Sequence, residues 1–238
     1  EVEWERFEKL DEKVEAKLLE EGKRNRKHTK WRVRWVEFDN FLSFGEGNKI
    51  NFDKLGGITT VDSIPSNYGG KTTLTVDLLL FLFFNTTTKT VKALDIFNRF
   101  TDKNLVMVRG LVTIDGEDYI IERGIIRKQS RKGEWTVKTE LNFHKRLNDG
   151  VLINLEGEQR RETEKFIQDS IGNIDDFLLT ILATGNNVED IIDAKPTQRG
   201  HILTRFIGLE YLREKEKVGK EMYSIWSKKL ISNIHNIE

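Results

Sequence analysis

The feature that most constrains this sequence is the stretch 59–73, where a β-branched segment runs through a loop with two glycines toward an apolar segment. Residues 58–61 have the β-branched character of a strand, and residues 74–84 are apolar and long enough for a buried helix. Gly69 and Gly70 stand at the junction. Strand, glycine loop and helix follow one another in this order in phosphate-binding loops.

The residue types in this stretch suit the binding of a phosphate chain. Unpaired N–H groups and the helix dipole both favour an anion at a helix N-terminus. Gly69 and Gly70 let the main chain approach the anion closely, because they carry no Cβ. We expect Lys71 to reach the β- and γ-phosphates and the Thr72 hydroxyl to coordinate Mg²⁺.

The match to the pattern G-x-x-x-x-G-K-[ST] is incomplete. Pro65 stands at the position of the first glycine, and its ring removes the N–H group and restricts φ. Tyr68 occupies a position where a small residue fits more easily. An alternative interpretation is therefore a glycine turn that joins a strand to a core helix, with a lysine that binds no ligand.

Composition bounds the class of protein. The chain has 238 residues, enough for one large domain or one and a half, and Lys+Arg and Asp+Glu are equal at 39 each. A nucleic-acid surface must therefore be local. The absence of cysteine excludes disulfide scaffolds and thiolate metal sites and fits a reducing compartment. No signal peptide is visible, and the longest apolar run, 78–84, is too short to span a bilayer. We therefore expect a cytoplasmic protein. Its first residue, Glu1, suggests a fragment or a processed product.

Periodicity predicts the remaining elements. Alternating or β-branched patterns predict strands over 31–38, 49–52, 58–61, 105–114, 118–123 and 135–143. The last three are expected to form an antiparallel meander. Helical spacing predicts helices over 1–21, 158–171, 175–183 and 196–207, and a long charged helix from 209 to the end.

The order of these elements and two short motifs resemble the N-terminal lobe of SMC and SbcC-type ATPase heads, most closely the ATPase subunits of phage and bacterial recombination nucleases. The motifs are N-F-x-S at 40–43 and N-x-G-G-K-T-T at 67–73, and the resemblance runs from about residue 31 to the C-terminus. It implies an α/β P-loop NTPase fold of the ABC/SMC type, with an antiparallel β-meander and C-terminal helices leading to a coiled coil. The implied domains are an N-terminal amphipathic helix and basic linker at 1–30, the ATPase N-lobe at 31–208, and the start of the coiled-coil helix at 209–238.

The resemblance also implies cofactors, site residues and partners. The cofactors are ATP and Mg²⁺, and Thr72 is the metal ligand. The implied nucleotide contacts are Asn67, Gly69, Gly70, Lys71, Thr72 and Thr73. The implied partners are the C-terminal lobe of the same ATPase, a second head in a homodimer, an SbcD-type nuclease subunit and DNA, with no membrane partner.

Several departures from the family bear on activity. Leu42 stands where a basic residue often follows Asn-Phe, and Leu179 or Thr180 stands where the family has its Q-loop glutamine. The sequence contains neither a Walker B run nor a Leu-Ser-Gly-Gly signature, so this chain alone should not hydrolyse ATP at a useful rate. Two interpretations follow: an ATP-binding head lobe that acts with a nuclease in DNA repair or recombination, or a degenerate head-like lobe that serves as a structural or binding module.

Two basic segments are candidate DNA contacts. One is the linker, with Lys23, Arg24, Arg26 and Lys27, and the other is a predicted hairpin tip, with Arg127, Lys128, Arg131 and Lys132. Clustered lysine and arginine side chains bind phosphate backbones. The alternatives are a solvated linker and a solvated hairpin tip.

Overall fold

The computed structural model describes residues 3–20, 30–64, 69–155, 160–172, 174, 177, 178, 181, 192–206 and 209–232. Contacts between residues divide the chain into two compact units. One unit comprises residues 29–182, and the other comprises 1–28 together with 183–238.

A six-stranded antiparallel sheet forms the framework of the unit at 29–182. Its strands are β1 (Trp31–Asp39), β2 (Asn48–Asn51), β3 (Leu105–Ile114), β4 (Glu117–Gln129), β5 (Trp135–Arg146) and β6 (Leu152–Asn154). Their order across the sheet is β2-β1-β3-β4-β5-β6, and every neighbouring pair is antiparallel. The strands predicted over 31–38 and 49–52, the predicted meander and the α/β class are thereby confirmed.

The strand predicted over 58–61 is wrong, since the structure has no strand there. Residues 55–62 are exposed, and Ile58 has 99% of its surface accessible to solvent. A strand needs a neighbour that pairs with its backbone N–H and C=O groups, and β-branched residues alone do not supply one.

The helix predicted after the glycine loop lies where the sequence places it. It begins at Lys71, is π-helical over Thr73–Asp77, and continues as α2 (Leu78–Phe84). Five of the seven residues of α2 are buried, as expected for a helix that is apolar on all sides. A Cβ at Gly110 of β3 would lie only 2.5 Å from Leu82 Cδ2, so the glycine lets the helix approach the sheet.

Helix α3 (Arg160–Ile171) completes the described core of this unit. It buries Thr163, Ile167 and Ile171, and the ring of its Phe166 lies 5.2 Å from that of Phe143 on β5. The helix predicted over 158–171 is therefore confirmed, while most of the helix predicted over 175–183 lies outside the described residues.

The other unit contains α1 (Trp4–Glu20), α4 (Pro196–Phe206) and α5 (Glu210–Ile231). Lys215 of α5 forms ion pairs of 2.7 Å with Asp11 and with Glu15 of α1. The N-terminal amphipathic helix thus packs against a helix of its own chain. The coiled coil stays a prediction.

None of the described helices has both the length and the apolar character needed to cross a membrane. Among the same residues, no group of three His, Cys, Asp or Glu side chains is placed to hold a metal ion.

Candidate functional site

The two glycines of the loop lie against other parts of the unit, and neither position has room for a side chain. A Cβ at Gly69 would collide with the side chain of Ser63. A Cβ at Gly70 would lie 2.5 Å from Ser43 Oγ and 2.9 Å from Phe44 Cε2. Gly70 also has φ +72°, in the left-handed region that favours glycine. Both glycines are therefore required by close approach, and Gly70 by its backbone conformation as well.

Lys71 and Thr72 form the start of the helix that follows. The Gly70 carbonyl accepts a hydrogen bond of 3.0 Å from the N–H of Leu74, which closes the first turn. The Thr72 side chain is exposed, and Lys71 is partly exposed. Lys71 Nζ lies 3.7 Å from Asp62 Oδ1, and the Asp62 side chain is 88% exposed. An ion pair of this exposure contributes little stability, so an anionic ligand can compete with it for the lysine.

The middle of the loop lies outside the described residues. Pro65, Ser66, Asn67 and Tyr68 belong to it, so the predicted contact from Asn67 stays a prediction. Leu179 and Thr180, at the position of the Q-loop glutamine in the family, also lie outside the described residues.

Thr73 is completely buried, and its hydroxyl points away from solvent. Thr73 Oγ1 accepts a hydrogen bond of 2.6 Å from Lys89 Nζ. Lys89 Nζ also lies 4.0 Å from Asp77 Oδ2. The Thr73 hydroxyl is therefore engaged with the loop that follows α2, and a phosphate contact from this residue falls to its backbone N–H.

Asp77 is a site residue that the sequence analysis missed. Its side chain is buried, and Oδ1 accepts hydrogen bonds of 2.7 Å from both the N–H and the hydroxyl of Thr88. These bonds tie the π-helical turn to the loop after α2. The signal was present in the sequence, because Asp77 is the one charged residue between Leu74 and Phe84.

A cleft with a volume of about 320 Å³ lies beside Ser43. Its lining residues are Leu42, Ser43, Lys89, Thr90, Asp95, Phe97, Arg99 and Phe100. One of them, Ser43, is also the side chain against which Gly70 packs. The lining combines two basic side chains, one carboxylate and two aromatic rings.

The N-F-x-S motif builds the turn that carries Ser43. Asn40 is buried with φ +57°, and its amide donates hydrogen bonds to the carbonyls of Lys103 and Leu105. Its Oδ1 accepts a hydrogen bond from the Thr101 hydroxyl. The ring of Phe41 is buried 5.2 Å from that of Phe81 on α2. This motif therefore has a structural role here, which is to fix the turn beside Gly70.

Of the candidate DNA contacts, the structure describes those at the tip of the β4–β5 hairpin. Lys128, Arg131 and Lys132 are exposed. Arg127 is less free, since its guanidinium lies 4.6 Å from the ring of Phe97 and 5.0 Å from the ring of Trp135. The four linker residues, Lys23, Arg24, Arg26 and Lys27, lie outside the described residues.

No protein-family model matches the chain. An uncharacterized protein of Acanthamoeba polyphaga mimivirus is 26% identical over 224 residues, which make up 89% of this chain and 16% of that protein. The chain therefore spans about one sixth of the length of this relative.

Similar solved structures include an SMC ATPase and the recombination mediator protein RecF. One comes from a study of the ATP-driven dimerization and DNA-stimulated activation of SMC ATPases; it is 14% identical, with a TM-score of 0.42, and the match covers 72% of this chain and 96% of that one. Another is the recombination mediator protein RecF with ATP, which is 19% identical, with a TM-score of 0.38 and coverage of 71% and 36%. Identities and scores this low do not carry a function over to this chain.

Proposed function

We propose that this chain is the ATP-binding N-terminal lobe of an SMC/SbcC-like ATPase head. The observation that supports this function best is the arrangement at the helix start. Gly70 is held in a left-handed conformation against Ser43, and Lys71 and Thr72 follow directly in the first helical turn. A phosphate chain needs this combination of free N–H groups, an ammonium and a hydroxyl at a helix N-terminus.

The residues of the loop suit ATP and Mg²⁺. Gly69 and Gly70 let the loop pack closely against Ser63 and Ser43, directly before the helix start at which a phosphate would bind. In this proposal Lys71 binds the β- and γ-phosphates, and the exposed Thr72 hydroxyl is a ligand of Mg²⁺, which neutralises phosphate charge when bound. Backbone groups of Asn67 and Thr73 add further contacts.

The cleft beside Ser43 supplies room for the rest of the nucleotide. Phe97 and Phe100 offer aromatic surface for a base, and Lys89 and Arg99 offer positive charge. Ser43 lines the cleft and also lies against Gly70, so in this proposal a ligand with its phosphates at Lys71 extends past Ser43 into the cleft.

A C-terminal lobe of the same ATPase is the first partner we propose. The chain carries no Walker B run and no signature, so hydrolysis requires them from elsewhere. The segment before the loop supports this, because Ile58 and Ile64 are 99% and 98% exposed in a β-branched stretch that has no strand neighbour here. A strand of the C-lobe would pair with this backbone and cover these side chains.

The remaining partners come from the resemblance and from charge. A second head in a homodimer, an SbcD-type nuclease and DNA complete the proposed complex, which works in repair or recombination in the cytoplasm. The exposed Lys128, Arg131 and Lys132 are the proposed DNA contacts of the β4–β5 hairpin. Domain boundaries at 30 and 208 and the coiled coil beyond them belong to the same proposal.

A second function has one structural observation in its favour. Lys71 forms an ion pair with Asp62, as it would in a loop that no longer binds phosphate. Together with Pro65 and Tyr68 this favours a head-like lobe that serves as a structural or binding module.

Titration of the full chain with a fluorescent ATP analogue and Mg²⁺ tests the proposed function. We expect saturable binding by the wild type, a loss of at least about tenfold in affinity for Lys71→Ala, and wild-type affinity for Lys54→Ala, which removes an exposed lysine outside the loop. Thr72→Ala should lose the increase in affinity that Mg²⁺ gives over EDTA. Equal, negligible binding by the wild type and Lys71→Ala would leave the module function.

A further inference from the structure

The C-terminal end of α2 is held by an arginine on the sheet. The last carbonyls of a helix have no partner within the helix and need one elsewhere. Asn85, in the left-handed conformation, donates its N–H to the Phe81 carbonyl at 3.0 Å. Arg123 of β4 donates from Nε to the Leu82 carbonyl at 2.6 Å and from Nη2 to the Phe83 carbonyl at 2.9 Å.

Arg123 is completely buried, and a carboxylate on α3 balances its charge. Its Nη1 and Nη2 donate to the two oxygens of Glu164 at 2.7 and 2.8 Å. The guanidinium therefore joins three elements: it lies on β4, bonds the end of α2 and pairs with α3. A bidentate pair of this kind fixes orientation as well as distance.

The same helix carries the proposed nucleotide site at its other end. It runs without a break from Lys71 to Phe84. Thr73 and Asp77 hold the half next to the glycine loop through Lys89 and Thr88, and Arg123 holds the half next to the C-terminus. A helix is stiff along its axis, so a shift or rotation at its C-terminus moves Lys71 and Thr72 as well.

We propose that Arg123, fixed by Glu164, is a positioning residue for the nucleotide site. It sets the axial position of the helix that presents Lys71 and Thr72, although it lies at the opposite end of that helix. A cation at a helix C-terminus also complements the dipole that favours phosphate at the N-terminus. This inference rests on the proposed nucleotide binding and adds a residue to it that no loop motif contains.

Three variants of the full chain test the inference. Arg123→Lys keeps the positive charge but replaces the planar guanidinium by a single ammonium. One ammonium cannot donate to two carbonyls and to both carboxylate oxygens at once. Glu164→Gln keeps the size of the partner and removes its charge. Arg160→Gln is the control, because Arg160 donates to the same Glu164 oxygen at 3.4 Å but otherwise bonds Thr139 on β5.

Affinity for the fluorescent ATP analogue is measured for each variant at a temperature where unfolding curves show it to be fully folded. We expect Arg123→Lys to weaken binding about tenfold or more and Glu164→Gln to weaken it by a smaller factor, since each loses charge-assisted hydrogen bonds. Arg160→Gln should lose stability but keep wild-type affinity. Amide hydrogen exchange should rise at residues 71–74 in Arg123→Lys and stay unchanged in Arg160→Gln.

Each outcome bears on one proposal or on both. If the wild type binds and folded Arg123→Lys and Glu164→Gln bind equally well, Arg123 has a stabilising role alone and the inference is overturned. Should Arg123→Lys fail to fold, Glu164→Gln decides the question by the same comparison with Arg160→Gln. A wild type that does not bind the analogue overturns the proposed function and this inference with it.

Discussion

Gly70 lies directly against Ser43, and a Cβ at residue 70 would stand 2.5 Å from the serine hydroxyl oxygen. This contact joins the two most specific motifs of the sequence, one in the turn after β1 and the other at the start of the helix. Asn40 fixes this turn, because its side-chain amide donates hydrogen bonds to two carbonyls of the segment that leads into β3. The glycine loop therefore packs against a turn that is itself bonded to the sheet.

Replacement of Gly70 tests this contact. Gly70→Ala places a side chain at φ +72° and against Ser43, so we expect a loss of about 2 kcal/mol or more in the free energy of unfolding. Nucleotide affinity should fall at least about tenfold, because the loop must move. Urea unfolding and titration with the ATP analogue measure the two effects.

Gly47→Ala is the matched control for this variant. Gly47 has φ +70° but open space around the position of a Cβ. It should cost about 1 kcal/mol through backbone strain alone and leave nucleotide affinity unchanged. If both variants lose nucleotide affinity equally, the loss in Gly70→Ala comes from backbone strain and not from the contact with Ser43.

Asp77 should stabilise the unit through Thr88 and Lys89. Asp77→Ala removes the acceptor of two hydrogen bonds of 2.7 Å and a buried partner of Lys89, so we expect a loss of about 2 kcal/mol in urea unfolding. Asp102→Ala, at an exposed position, should have an effect within about 0.5 kcal/mol. If Asp77→Ala also lowers the free energy of unfolding by no more than about 0.5 kcal/mol, the hydrogen bonds between the π-helical turn and the following loop do not stabilise the unit.

Stability at acid pH should depend on Glu164. Burial alone raises the pKa of Glu164, but hydrogen bonds and charges from Arg123 and Arg160 outweigh burial and hold that pKa below its ordinary value of 4.5. A lowered pKa in the folded state gives stability that is present above pH 4.5 and is lost as pH falls through the lowered pKa.

The measurement compares urea midpoints of the wild type and Glu164→Gln as pH is lowered. The advantage of the wild type should be constant near neutral pH and should shrink below pH 4.5. A difference that does not change with pH would contradict the assignment, since glutamine cannot titrate.

The β4–β5 hairpin should account for part of any DNA affinity. Replacing both Arg131 and Lys132 by Gln should weaken binding to duplex DNA regardless of sequence and reduce the slope of log affinity against log salt by about 1 to 2. Lys138→Gln is the control, because Lys138 of β5 is paired with Glu140 at 2.8 Å. If the double variant binds duplex DNA with unchanged affinity, the tip of the hairpin is a solvated surface that does not contact DNA.

Much of the sheet and of the helix after the loop follows from local patterns. Alternation over 105–114 and 135–143 predicts strands that the structure contains, because every second side chain of a half-buried strand faces the core. The apolar run 74–84 predicts a buried helix for a similar reason, since it has no polar face for solvent. Lys71 and Thr72 then lie at the helix start by their position in the chain.

The run 58–61 shows where local pattern fails. Its β-branched residues favour extended backbone, yet a strand also requires a second backbone within hydrogen-bonding distance, and the described sheet does not provide one there. Whether such a run pairs with a neighbouring strand depends on segments elsewhere in the chain. The residues around the run therefore cannot predict it.

By itself, the amino-acid sequence determined the order of the confirmed strands and helices and the position of the glycine loop before the buried helix, because both depend on residues that are neighbours in the chain. Only the tertiary structure decided that Gly70 packs against Ser43, that Asp77 is tied to Thr88, and that Arg123 reaches the far end of the helix. The residues in the first and last of these contacts are separated by 27 and 41 positions respectively, and packing of the helix against the sheet and its turns brings them together.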